Sequence, residues 1–143
     1  MATIKEDYVS FECAKLLKEK GFNESCYTYY DDIDDTINRF DKGYHFNNTS
    51  YPWGVPYDVS KAKKYIVAPT LQMAMKWLRE EHNISIEISS CCKIANCEPV
   101  DLGWAARKID LTKMVGSAFL IGRYDTYEMA CEAAIKYCLE NLI

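Results

Sequence analysis

The segment from Ala68 to Ser89 constrains the fold of this chain more than any other, because its pattern changes abruptly from helical to extended. In its first half, apolar residues at helical spacing form one stripe: Leu71, Ala74, Met75 and Leu78. In its second half, isoleucine alternates with polar residues: Ile84, Ile86 and Ile88. We therefore predict a helix over about 70–82 that is followed at once by a strand.

The junction between the two elements is Asn83, since asparagine tolerates the left-handed backbone that ends helices. We assign Trp77 to packing and His82 to the helix end, rather than to a binding role. The strand has one apolar and one polar face, which is typical of an antiparallel sheet covered on one side. Ile86 is accordingly predicted to face the core, and Glu87 to face solvent.

Two elements are predicted before this segment. A helix spans Val9 to Gly21, with Ser10 as its cap, and Gly21 ends it because glycine adopts a positive φ without strain. A short strand follows over Cys26 to Tyr30, which is rich in residues that favour strands.

Two strands are predicted after the central segment. Asn96, Pro99 and Gly103 are interpreted as turn residues, because asparagine, proline and glycine commonly interrupt regular structure. Strands are therefore expected only over Trp104–Leu111 and Ser117–Tyr124.

A final helix is predicted over about 126–141, where Asp125 and Glu128 have the spacing of a capping box. Cys131 and Cys138 lie seven residues apart on one face of it, and buried cysteine packs like a small apolar side chain. Cys13 on the first helix is interpreted in the same way.

These elements predict an α+β fold in a single domain over residues 1–143, a length sufficient for one hydrophobic core. Its centre is a three-stranded antiparallel meander that packs on two helices, an αβββα core. The first helix, the short strand and a long aromatic-rich insertion precede that core.

The insertion, about residues 32–67, is predicted to be irregular except for a short strand over Tyr65–Val67, because two closely spaced prolines with a glycine between them interrupt regular structure. Aromatic side chains on a loop are effective anchors for a protein partner. The candidate binding residues are Tyr44, Phe46, Tyr51, Trp53 and Tyr57. A lid that packs over the sheet explains the same residues, and both interpretations stay open.

Four aspartates at the start of the insertion have the ligand chemistry of Ca²⁺ or Mg²⁺: Asp31, Asp32, Asp34 and Asp35. They lack the glycine and the distal glutamate of an EF-hand loop. A solvated strand end or turn is the favoured interpretation.

Seven cysteines, an odd number, favour free thiols over a disulfide framework. The N-terminal residues contain no apolar signal core and no apolar run reaches about 18 residues, so a cytoplasmic location is expected and a membrane span is not. Cys91, Cys92 and Cys97 are weak metal candidates, because no second cysteine pair follows them. We expect no cofactor.

The chain contains none of the glycine-rich, P-loop, nucleophile-elbow or zinc-protease motifs, which disfavours an enzyme, and no catalytic residues are assigned. Its net charge of −4 argues against a broad nucleic-acid surface.

Three segments together resemble an uncharacterised family of small proteins from gut bacterial genomes, often found beside prophage or mobile-element genes: YVSFECAKLLKEKGF, APTLQMAMKWLREEHNI and YDTYEMACEAAIKYCLENLI. The resemblance implies a mobile-element context and no known activity, cofactor or site.

The predicted order helix–strand–strand–strand–helix is also similar to that of double-stranded-RNA-binding domains. Their last helix begins with a basic cluster, whereas this one begins with Asp125 and Glu128, which repel phosphate.

We therefore predict a non-enzymatic protein-interaction or structural module that binds another protein through the insertion. Self-association stays open, and nucleic-acid binding and a cysteine-based metal or thiol site are the alternatives.

Overall fold

The computed structural model describes residues 3–31, 34–39, 45, 47–48, 65–95, 98–113 and 118–143, with the side chains of 34–35, 92–95 and 98–102 excepted. It contains three helices and two three-stranded antiparallel sheets in this part of the chain, which confirms the α+β class. Two compact units divide the chain, Met1–Thr70 and Leu71–Ile143. The single-domain organisation stays a prediction.

The first unit begins with helix α1, Phe11–Glu19. The Ser10 side chain accepts a hydrogen bond from the Cys13 backbone N–H, as the sequence predicts for its cap. Gly21 follows the helix at φ 90°, and the Phe22 N–H donates to the Leu17 carbonyl at 2.9 Å. Phe22 is buried, so this terminator also contributes to the core.

The sheet of the first unit has the order β2-β1-β3. Its strands are β1 (Thr28–Asp31), β2 (Asp34–Arg39) and β3 (Tyr65–Val67). The short strand at Tyr65–Val67 is confirmed, but the prediction that residues 34–39 are irregular is wrong. The aspartates do not end the sheet, because Asp31 pairs with Asp34 and the chain returns alongside β1 as far as Arg39.

The second unit opens with helix α2, Leu71–His82, which leads through Asn83 into strand β4, Ile84–Ala95. Asn83 has φ 55°, so the predicted left-handed junction is confirmed. Trp77 is buried and its ring lies 4.5 Å from that of His82, which confirms their assignment to packing and to the helix end.

Strand β4 pairs antiparallel with β5 (Glu98–Asp110), and β5 pairs antiparallel with β6 (Phe119–Tyr124). The turns predicted at Pro99 and Gly103 are wrong, since both residues lie within β5. Pro99 pairs opposite Ile94, beside a register shift that accommodates a missing N–H. At Gly103 a Cβ atom would lie 3.1 Å from the Tyr124 carbonyl oxygen, so the backbones approach closely there.

Helix α3, Tyr127–Asn141, packs on one face of this sheet. Ala106, Ala130 and Ala134 form the buried centre of the contact, and Ile86 and Ile88 pack against it. Glu87 is exposed, so the predicted alternation of β4 is confirmed. The predicted capping box is wrong in one residue, because Thr126 rather than Asp125 accepts the Met129 N–H.

Candidate functional site

The aromatic residues predicted to bind a partner, Tyr44, Phe46, Tyr51, Trp53 and Tyr57, lie outside the described residues, so their role stays a prediction. Asn48 is described within the same segment. Its side chain donates to the Phe22 carbonyl at 2.6 Å and accepts from the Val67 N–H at 3.1 Å. That part of the insertion is therefore tied to the end of α1 and to β3.

The cysteines divide into packed thiols and an untested metal candidate. Cys13, Cys131 and Cys138 are fully buried and form no disulfide, which confirms their assignment to the core. Cys91 is half-buried, while the side chains of Cys92 and Cys97 are not described. Within the described residues no group of three His, Cys, Asp or Glu side chains is placed to hold a metal.

Strand β6 is the feature with the clearest capacity to bind a partner. It lies at one edge of the second unit's sheet, and no described strand pairs with its outer side. An edge strand presents unpaired N–H and C=O groups to a further strand. Phe119 is 51% exposed and Leu120 45% exposed, although both are large and apolar. A partner strand would therefore gain both hydrogen bonds and apolar burial here.

Phe119 projects on the same side of the sheet as α3. Its ring stacks on that of Tyr137 with centroids 6.2 Å apart, and the Lys108 ammonium lies 5.7 Å from the ring centroid. These contacts restrict the ring before any partner arrives, which lowers the entropic cost of binding. Leu120 projects on the opposite side, since it pairs with Arg107 while Phe119 pairs with Lys108.

A bulge interrupts the pairing of β5 with β6. Ala106 pairs with Gly122 and Arg107 with Leu120, so Ile121 is the extra residue on β6. Bulges twist an edge and limit how much of it can pair regularly. The edge therefore offers a short site, in keeping with one extended segment rather than a broad sheet.

The face turned away from α3 carries two arginines in different surroundings. Arg107 is half-buried, lies directly opposite Glu87, and donates from Nη1 to the Ser89 hydroxyl at 2.8 Å. Arg123 is exposed and lies opposite Ala105 on the edge strand. Arg123 makes no ion pair with any residue that the structure describes. Among the described residues, the edge therefore carries a positive charge that no ion pair compensates.

The second unit also contains a cleft of about 280 Å³, lined by His82, Ile84, Lys108, Asp110, Thr112 and Leu142. The Asp110 carboxylate accepts hydrogen bonds from the Thr112 hydroxyl at 2.6 Å and the Thr112 N–H at 3.0 Å, which hold its pKa below the ordinary value. The C-terminal ends of α2 and α3 disfavour an anion, and Lys108 disfavours a cation. The charges of the cleft therefore select no ligand class.

No family model, curated protein or solved structure matches this chain. The resemblance to the gut-bacterial family consequently stays a prediction. No helix in the described ranges is long and apolar enough to cross a membrane.

Sequence reasoning missed the β6 edge. Phe119, Leu120 and Ile121 are consecutive apolar residues, whereas a strand with one covered face alternates. This break in alternation was the available signal, since it places apolar side chains on both sides of the strand.

Proposed function

We propose that this protein is a non-enzymatic interaction module that binds an extended segment of another protein along the outer edge of β6. The observation that carries the proposal is the exposure of Phe119 and Leu120 on an edge strand. Strand addition uses main-chain hydrogen bonds for affinity and alternate side chains for specificity. In this proposal the αβββα arrangement of residues 71–143 is the scaffold that holds the edge rigid.

The occupant is a different protein rather than a second copy of this chain. From Phe119 to Tyr124 the edge strand contains one charged residue, Arg123, and no acidic residue. A second β6 therefore cannot neutralise that charge within the paired segment. A foreign strand with a carboxylate can, so charge complementarity favours a heterologous partner.

The proposal retains the sequence-based context as its biological setting. A cytoplasmic location keeps thiols reduced, which agrees with Cys26 and Cys91 forming no disulfide. The mobile-element association remains part of the proposal on the resemblance alone, and the aromatic insertion is a second contact surface to be tested alongside β6.

Photo-crosslinking tests the proposal at residue resolution. A benzophenone amino acid at position 120 is expected to label one extended segment of a partner in cells, identified by mass spectrometry of the adduct. The same probe at position 111 is the matched control, because Leu111 is 49% exposed in the same unit but lies beyond the end of β5. Position 111 is expected to yield no such adduct.

Two outcomes contradict the proposal. Adducts of equal yield and identity from positions 120 and 111 would mean that labelling reports general exposure. An adduct at 120 that contains only this chain would make the edge a self-association surface. A parallel variant, Trp53→Ala with Tyr57→Ala, measures whether the insertion contributes to capture, and an unchanged yield at 120 assigns binding to β6 alone.

A further inference from the structure

The strand that binds β6 has a recognisable chemistry, which follows from the rows of side chains across the sheet. On the face turned away from α3, one row contains Ser89, Ala105 and Arg123, and the next contains Glu87, Arg107 and Leu120. Directly opposite side chains in such rows lie about 4.5–5.5 Å apart at Cβ and interact most strongly.

The two rows differ in charge balance. In the Arg107 row Glu87 supplies a directly opposed carboxylate. In the Arg123 row the other two side chains are neutral, so the nearest opposed position is the one that a partner strand would fill. Asp125 follows two residues later, beyond the end of the strand, and it makes no ion pair with Arg123 among the described contacts.

We propose that the partner strand carries a carboxylate side chain that pairs with Arg123 on the face turned away from α3. This inference rests on the proposed strand addition at β6. Arg107 does not take this role, because its guanidinium reaches in the other direction, from β5 to Ser89 on β4. Arg123 is therefore the specificity-determining residue of the edge.

Three synthetic nonapeptides test the inference. They share one strand-forming sequence and differ only at the central residue, which is Glu, Gln or Lys. Binding is measured by NMR titration of the full chain, with the backbone amides of β6 as reporters. The Glu peptide is expected to bind about two- to fivefold more tightly than the Gln peptide, which is the range of an opposed cross-strand charge pair. The Lys peptide is expected to bind most weakly.

The variant Arg123→Glu is expected to reverse this order, and Arg123→Gln to remove the preference. Arg79→Glu is the matched control, since Arg79 is exposed on α2 and its replacement changes the net charge equally. It should keep the order of the parent, because only the local charge at β6 sets the preference.

The possible failures are distinguishable. Equal affinities for all three peptides overturn the acidic preference but leave strand addition standing. If Arg123→Glu binds the three peptides in the same order of affinity as the parent, the assignment to Arg123 is overturned. If Arg79→Glu changes the peptide affinities as much as Arg123→Glu does, the preference reflects overall charge, and the assignment to Arg123 is overturned. If none of the three peptides binds, strand addition is overturned, and the inference with it.

Discussion

At the scale of single residues, buried thiols are part of the core of this protein. Cys138 is fully buried on α3, and Cys26 is 4% exposed beside β1. Desolvation raises the pKa of Cys26 to about 12 and that of Cys138 to about 11, since burial disfavours the thiolate. These cysteines therefore act as small apolar side chains and not as nucleophiles.

The Cys138 thiol makes stability depend on pH. Its pKa in the folded chain, about 11, lies above the ordinary thiol value of 9.0. As pH rises through this interval the unfolded chain loses the proton first, so the unfolded state is stabilised. The free energy of unfolding is expected to fall between about pH 9 and 11, and Cys138→Ala should reduce that slope in urea denaturation. An unchanged slope contradicts the assignment.

Some residue-scale features could be predicted from sequence, and others could not. Gly21 and Asn83 were predictable because few residues adopt a positive φ at low cost. The cap of α3 was not, since Asp125 and Thr126 are adjacent and both are good caps. Sequence spacing favoured Asp125, whereas the backbone places Thr126 at the first turn.

At the scale of elements, α3 is distinguished by how closely it approaches the sheet. Ala106, Ala130 and Ala134 are all fully buried at the contact. Because the helix and the sheet approach so closely here, the contact has no room for added methylene groups, and overpacking typically costs about 1–3 kcal/mol. The close approach of α3 therefore depends on alanine at these positions.

Ala134→Leu should accordingly lower the free energy of unfolding by about 1–3 kcal/mol. Ala133→Leu is the matched control on the same helix, because Ala133 is only half-buried, and its effect should stay within about 0.5 kcal/mol. Chemical denaturation of both variants measures the difference. Equal losses at positions 133 and 134 would contradict the tight contact.

The lengths of β4 and β5 were the least predictable features among the elements. Pro99 and Gly103 are strong local turn signals, yet both lie in β5 because pairing with β4 continues past them. Local signals cannot report a partner strand, and cross-strand pairing overrides them. The same reason explains β2, which was predicted as loop and forms because β1 lies beside it.

For the whole molecule, the α+β class was predictable because helical and strand periods alternate clearly along the sequence. The division into two compact units was not, since it depends on contacts that no local pattern encodes. The candidate site depended on the same kind of information. Phe119 and Leu120 gain significance only because β6 ends up at the edge of a sheet.

Amide hydrogen exchange along β6 tests the central claim most directly. In the full chain with the Glu-centred nonapeptide, exchange should slow at the outward-facing N–H groups of β6, because strand addition pairs these groups with carbonyls of the peptide. The opposite edge strand, β4, should be unaffected and serves as the internal control. Unchanged exchange in β6, or equal slowing in β4, would contradict the account.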